Sequence, residues 1–267
     1  MKMKKATKLC GSKYLQAKMG CTYKNVKNDL ENNIFVLFTG VGCQINGLMT
    51  YLEQEYENLI CVDMICHGVP SPKLWRAYVK DVEAINQAKM KSVNFRCKDK
   101  GWKNFGIKER KTDMKTVFIP KGKNPYMLMF LDNYCLRPSC YACAAKQYKL
   151  ADVTLGDFWG IEKIAPEMDD GMGTSLVILR SEKGANLFGK IKDELNVKEV
   201  SYEESVQENI AEYKSVKRPK ERDIFFNDLD TIPFEILKRK YAIPAKIPLR
   251  RKIKSIIKNI LGGVRIG

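Results

Sequence analysis

The sequence predicts an α/β fold: a mixed, partly parallel sheet flanked by helices, with a cysteine-rich loop and a basic C-terminal helix. Three observations predict it. Short apolar runs at residues 34–38 and 59–65 bracket a segment whose Ile45, Leu48, Met49 and Leu52 recur at helical spacing, a strand–helix–strand order that pairs its strands in parallel. Cys135, Cys140 and Cys143 crowd one stretch before a further strand near 153–155. Residues 238–267 carry ten Lys or Arg and no acid.

Each element follows in turn. Gly40 and Gly42 break the first run, and His67-Gly68 ends the second. Ser71-Pro72 opens a helix running to about residue 85, because Pro suits the first helical turn. Strands near 93–96, 105–110 and 116–119 are short and broken by Gly and charge, and are expected as a meander on one edge of the sheet. A helix is expected at 125–134, a buried strand at 174–179, and amphipathic helices at 182–195 and 218–229. Pro233, Pro244 and Pro248 then punctuate the chain. Residues 1–232 are therefore expected as one domain and 233–267 as a basic amphipathic tail.

Composition narrows the function classes. The 267 residues are 45% hydrophobic, enough to bury a sizeable core. No run of 18 apolar residues occurs, and no apolar stretch follows the basic start, so neither a membrane span nor a secretory signal is expected. Nine cysteines, an odd number, suit metal or redox chemistry in a reducing cytoplasm better than a disulfide framework. Much of the net charge of +16 sits in the tail, so the body is only mildly basic and no specific nucleic-acid partner is expected.

The strongest chemical signal is Cys140-Tyr141-Ala142-Cys143, a spacing that sets two sulfurs on one metal or cluster. An iron–sulfur cluster usually needs four thiolates, and structural zinc needs four ligands. Cys43 follows the first strand and Cys66 ends the second. If those strands are parallel, both cysteines reach the carboxyl edge, where open α/β sheets bind ligands. Packing and ligation both remain open for them on this argument. Cys61, in mid-strand, reads as packing, and Cys10, Cys21 and Cys97 as having no metal role. Cys135 is the rival fourth ligand. His67, the only histidine, directly follows Cys66 and does not suit a cysteine hydrolase.

A second unusual segment is Gly156-Asp157-Phe158-Trp159-Gly160. Its glycines admit close backbone approach and its rings offer a flat wall, which would suit a flavin or equally an aromatic corner that closes the core. The Gly40-Val41-Gly42 turn could meet an anion at a helix start but does not fit the dinucleotide fingerprint.

Taken in order, Phe38-Thr39-Gly40-Val41-Gly42-Cys43-Gln44, Val62-Asp63-Met64-Ile65-Cys66-His67-Gly68-Val69-Pro70-Ser71-Pro72, Leu136-Arg137-Pro138-Ser139-Cys140-Tyr141-Ala142-Cys143 and Thr154-Leu155-Gly156-Asp157-Phe158-Trp159-Gly160 make the chain resemble the C-terminal domain of the coenzyme F-420 hydrogenase/dehydrogenase beta-subunit family, notably bacterial members found among polysaccharide-synthesis genes. The resemblance runs from about residue 10 to residue 229. It implies a cytoplasmic oxidoreductase that passes electrons between a 4Fe-4S cluster, FAD and a deazaflavin or other small-molecule acceptor. By position, it makes Cys43, Cys66, Cys140 and Cys143 the cluster ligands. It also sets Gly156, Asp157, Phe158 and Trp159 at the flavin, with Gly40, Gln44 and Arg137 as further contacts. This chain has Val41 and Gly42 where the family usually has Thr and Pro. Longer members begin with a ferredoxin-like segment that this sequence does not show, so a ferredoxin-like electron donor is expected in trans. In the tail, Leu249, Ile253, Ile256, Ile257 and Ile260 share one helical face, an arrangement for docking on an anionic membrane surface at the inner face or for packing on protein.

Overall fold

The computed structural model describes residues 12–244. The last amphipathic segment of the tail and Cys10 lie outside the described residues. Two sheets organise the chain. The larger has the order β1-β2-β6-β7 and the smaller β3-β4-β5.

Helix α1 (Thr22–Glu31) precedes β1 (Val36–Thr39), α2 (Gly42–Leu52) and β2 (Leu59–Met64). Strands β1 and β2 are parallel, with Val36 opposite Leu59 and Thr39 opposite Val62. Phe38, Cys61 and Leu59 point to the face that α1 and α2 cover, where they meet Ile45, Leu48 and Leu52 of α2. Each of those three α2 side chains is essentially fully buried, a gain of roughly 1.5–3 kcal/mol apiece. Val26 and Leu30 are the only buried residues of α1, so its apolar stripe is narrow and invisible to a search for helical periodicity.

Helix α3 (Pro72–Asn86) begins as expected, with Pro72 in the first turn and the Ser71 hydroxyl accepting from the Lys73 N–H at 3.2 Å. It packs on the antiparallel β3 (Met90–Cys97), β4 (Gly106–Lys111) and β5 (Thr116–Pro120). These strands form a sheet of their own rather than an edge meander on the first. Their shared face, with Phe95 and Ile107, is needed to cover Leu74 and Tyr78 of α3. Asn124 caps α4 (Pro125–Leu131) through its side-chain oxygen, and its Nδ2 donates to the Tyr78 hydroxyl at 2.8 Å.

After the cysteine loop, β6 (Val153–Asp157) joins the first sheet parallel to β2, and β7 (Ser175–Leu179) lies antiparallel beside it. The sequence suggests a fully buried strand here. β7 instead closes the edge of the sheet, with Leu176 buried and Ser175 and Leu179 exposed. Short helix α5 (Ile161–Ile164) sits between them, and α6 (Glu182–Gly189) follows, shorter than the expected 182–195 because the chain turns after Gly189. Then come α7 (Tyr202–Val206), α8 (Arg222–Thr231) and α9 (Phe234–Tyr241). Leu237 and Tyr241 of α9 are buried in the same core as Phe225 and Tyr126, so close packing runs past residue 232 to Tyr241.

Candidate metal centre

Parallel pairing carries the ends of β1 and β2 to one edge of the sheet. Cys43 is the second residue of α2, where the helix N-terminus favours negative charge. Gly42 before it is tightly enclosed: a β-carbon there would lie 3.0 Å from Asp63 Oδ2 and 3.1 Å from Ala145 Cβ. Gln44 is spent on the helix start, its Oε1 accepting from the Val41 N–H at 3.1 Å and its Nε2 facing Met19 Sδ. Gly40 packs against that same side chain.

Beyond β2 the chain runs through Cys66 to Gly68, whose φ of +150° is open to glycine and strained for other residues. Gly68 lets the loop press on Leu136 and Cys140. Residues 69–71 are then stitched to residues 135–137. Ser71 N–H donates to the Cys135 carbonyl at 2.7 Å, and Arg137 N–H to the Val69 carbonyl at 2.9 Å. The Arg222 guanidinium holds the Leu136 carbonyl from behind, at 2.9 Å. This stitching brings the loop carrying Cys140 and Cys143 (a 3-10 turn, Pro138–Ala142) over the sheet edge.

Cys43, Cys66, Cys140 and Cys143 consequently line one cavity. Burial pushes the Cys43 thiol above its ordinary value, with the Cys143 and Cys140 sulfurs adding to the rise and the Arg137 guanidinium opposing it. Arg137 itself is exposed and is not among the residues that line the cavity. The Cys66 thiol is pushed up to about 11, first by burial, with Cys140 and Cys43 adding, while Lys146 and the Gly68 N–H pull it down. The Val69 N–H points at Cys140 Sγ at 3.4 Å. Lys146 donates to the Cys66 carbonyl at 2.6 Å and also to the Ala211 carbonyl, and Cys143 N–H donates to Ser215 Oγ at 3.0 Å. Four thiols, N–H groups aimed at sulfur and a neighbouring ammonium make a donor set that fits a thiolate-held cluster. Among the described residues no group of three or more His, Cys, Asp or Glu side chains closes around a point for a single metal ion.

The other cysteines lie elsewhere. Cys135 is fully buried in the aromatic core and Cys61 in the α2 core, with both thiols pushed up to about 12 by burial. Cys97 is buried and Cys21 exposed, and neither lines the cavity.

Sequence reasoning missed the polar floor of the cavity. Asp63, Lys146, Lys149 and Glu212 line it beside the cysteines. Glu212 is 1% exposed and pairs with Lys149 at 2.9 Å and with Arg180. One oxygen of Asp63 and one of Glu212 are buried without a hydrogen-bond partner. The single available signal was Asp63, an acid inside an otherwise apolar strand.

The Gly156–Gly160 turn closes part of the core. Phe158 is buried and packs with Ile161 and Leu176, closing the core. Asp157 pairs with Arg96 at 2.8 Å and accepts from Trp102 Nε1 at 3.3 Å. Trp159, partly exposed, packs at a tilt of 33° against Trp102 with ring centres 4.4 Å apart. Gly156 passes against Ile65, leaving no room for a side chain.

These elements define an α/β protein with a thiol-lined cavity at the carboxyl edge of its parallel strands. The profile of the family described as the C terminus of the coenzyme F420 hydrogenase/dehydrogenase beta subunit matches residues 35–205, well over half of the chain. The chain belongs to that family, which points to a redox role. No curated protein matches the chain. No helix among the described residues is long and apolar enough to cross a membrane.

Proposed function

We propose that the chain is an electron-transfer oxidoreductase subunit whose Cys43, Cys66, Cys140 and Cys143 hold one 4Fe-4S cluster, and which binds FAD. The observation that carries this reading is the convergence on one cavity of four cysteines from three separate stretches of chain. When bound, the cluster exchanges single electrons and the flavin exchanges one electron or a hydride with a small acceptor such as a deazaflavin.

The chain's own residues bind, orient and shield. The Val69 N–H aims at Cys140 Sγ and the Gly68 N–H at the Cys66 sulfur, hydrogen bonds that cluster-bound thiolates would accept. Lys146 fixes the Cys66 backbone and sets positive charge beside the sulfurs. Leu136 and the stitched loops back the cavity beside Gly68 and Cys140. Trp159 offers a ring wall for the flavin.

Anaerobically purified chain should be brown, with a broad visible thiolate-to-iron absorption that bleaches on reduction, and should release FAD on acid treatment. A colourless protein containing zinc contradicts the proposal.

A further inference from the structure

A cluster outside the cysteine cavity is over-supplied with positive charge. Arg96, at the end of β3, has a side chain only 10% exposed. Its Nη1 pairs with Asp157, but its Nε and Nη2 are buried with no hydrogen-bond partner. Lys121, just past β5, has its ammonium 4.3 Å from the centre of the Phe105 ring, and the Arg96 guanidinium carbon lies 4.4 Å from that same centre. Both cations also approach Trp159, at 5.6 Å for Arg96 and 5.8 Å for Lys121. Asp157 is the only carboxylate among the described residues that pairs with either, and its second oxygen is taken by Trp102. Two like charges held beside one ring, with an acid paired to only one of them, repel each other. The Lys121 ammonium is held below its ordinary value by burial and by Arg96.

Such an arrangement is costly in a protein that leaves it alone and favourable when an anion bridges the cations. Guanidinium nitrogens with free N–H groups suit phosphate oxygens, and an ammonium adds a second, point-like charge. The adjacent Trp159 ring, partly exposed, suits a planar aromatic group.

We propose that Arg96 and Lys121 form an anion subsite that takes the phosphate of a phosphorylated planar aromatic ligand whose ring lies at Trp159. The choice of ring rests on the flavin reading, whereas the anion subsite rests on the two cations.

Riboflavin and FMN separate the two parts, because they share a ring and differ by one phosphate. Binding to the full chain is followed by quenching of flavin fluorescence. FMN should bind at least tenfold more tightly than riboflavin, and inorganic pyrophosphate should displace FMN while leaving riboflavin in place. Lys121→Met should bring FMN down to the riboflavin level with riboflavin binding unchanged, and Lys121→Arg should restore the preference. Equal binding of the two flavins by the unaltered chain overturns the subsite alone. An undiminished FMN preference in Lys121→Met also overturns it. Binding of neither flavin overturns both the subsite and the flavin reading.

Discussion

At Gly68 the backbone conformation decides how the site closes. Its φ is +150°, and an added β-carbon would fall 2.8 Å from Leu136 Cδ1. Gly68→Ala therefore meets backbone strain and a clash together, at a cost of about 1–3 kcal/mol; a urea titration should show a lower midpoint, and an unchanged midpoint contradicts this role. Asp63 gives a pH signature. Burial holds its carboxyl above the usual range, with Glu212 adding and with Thr154, Lys149 and Arg180 opposing. A raised value means that the fold holds the proton more tightly than the unfolded chain does. That contribution is complete below about pH 3.9, the unfolded value, and is lost as pH rises through the folded one. Asp63→Asn, neutral throughout, should gain stability relative to the unaltered chain between pH 4 and 7. A urea-midpoint difference that stays constant over that range contradicts the assignment. Thiol reactivity sorts the cysteines in the same way. Cys61 and Cys135, with thiols near 12, should resist iodoacetamide at pH 8 in the folded chain while exposed Cys21 reacts, as mass spectrometry of the alkylated peptides reports. At this scale the sequence was partly legible. The Cys140–Cys143 spacing declares itself locally, whereas Lys146 and Glu212 reach the cavity only through tertiary packing and carry no local signal.

Elements place these residues, and the ones that do so were unevenly visible. Strands β1 and β2 and helices α2 and α3 were legible because each has a broad apolar face or a marked start, as with Ser71-Pro72. Helix α1 was not, since only Val26 and Leu30 are buried. The smaller sheet was readable as strands but not as a separate layer, because its partner, α3, is recognised only by which side chains it covers. The Arg222 contact is another long-range device: α8 reaches back to the Leu136 carbonyl behind the cysteine loop, across 86 positions of sequence. Arg222→Ala removes charged hydrogen bonds from a buried carbonyl, about 1.5–3 kcal/mol. It should lower the thermal midpoint and reduce iron content only in part, because the cysteines themselves remain. Unaltered stability would show that the loop holds without α8. Gly184 of α6 sits directly on the Asp152 backbone, so Gly184→Ala should cost about 1–3 kcal/mol by overpacking, read from the same denaturation curves.

Across the whole molecule, the two sheets divide the work. The parallel β1-β2-β6 edge gathers the thiols, and the seam with the smaller sheet holds Arg96, Lys121 and Trp159. The fold class was legible from strand–helix alternation, and the pairing of Cys43 with Cys66 followed from assuming parallel strands. Cys135 tests that inference, since it is nearer in sequence to Cys140 yet is turned into the aromatic core. The most direct measurement of the central claim is iron and acid-labile sulfide content in five single variants, purified anaerobically: Cys43→Ser, Cys66→Ser, Cys135→Ser, Cys140→Ser and Cys143→Ser. Four true ligands predict that the Cys43, Cys66, Cys140 and Cys143 variants each lose most of their iron and sulfide, while Cys135→Ser keeps its full content and loses only stability. Full content in Cys43→Ser or Cys66→Ser, together with loss in Cys135→Ser, would contradict the four-cysteine site.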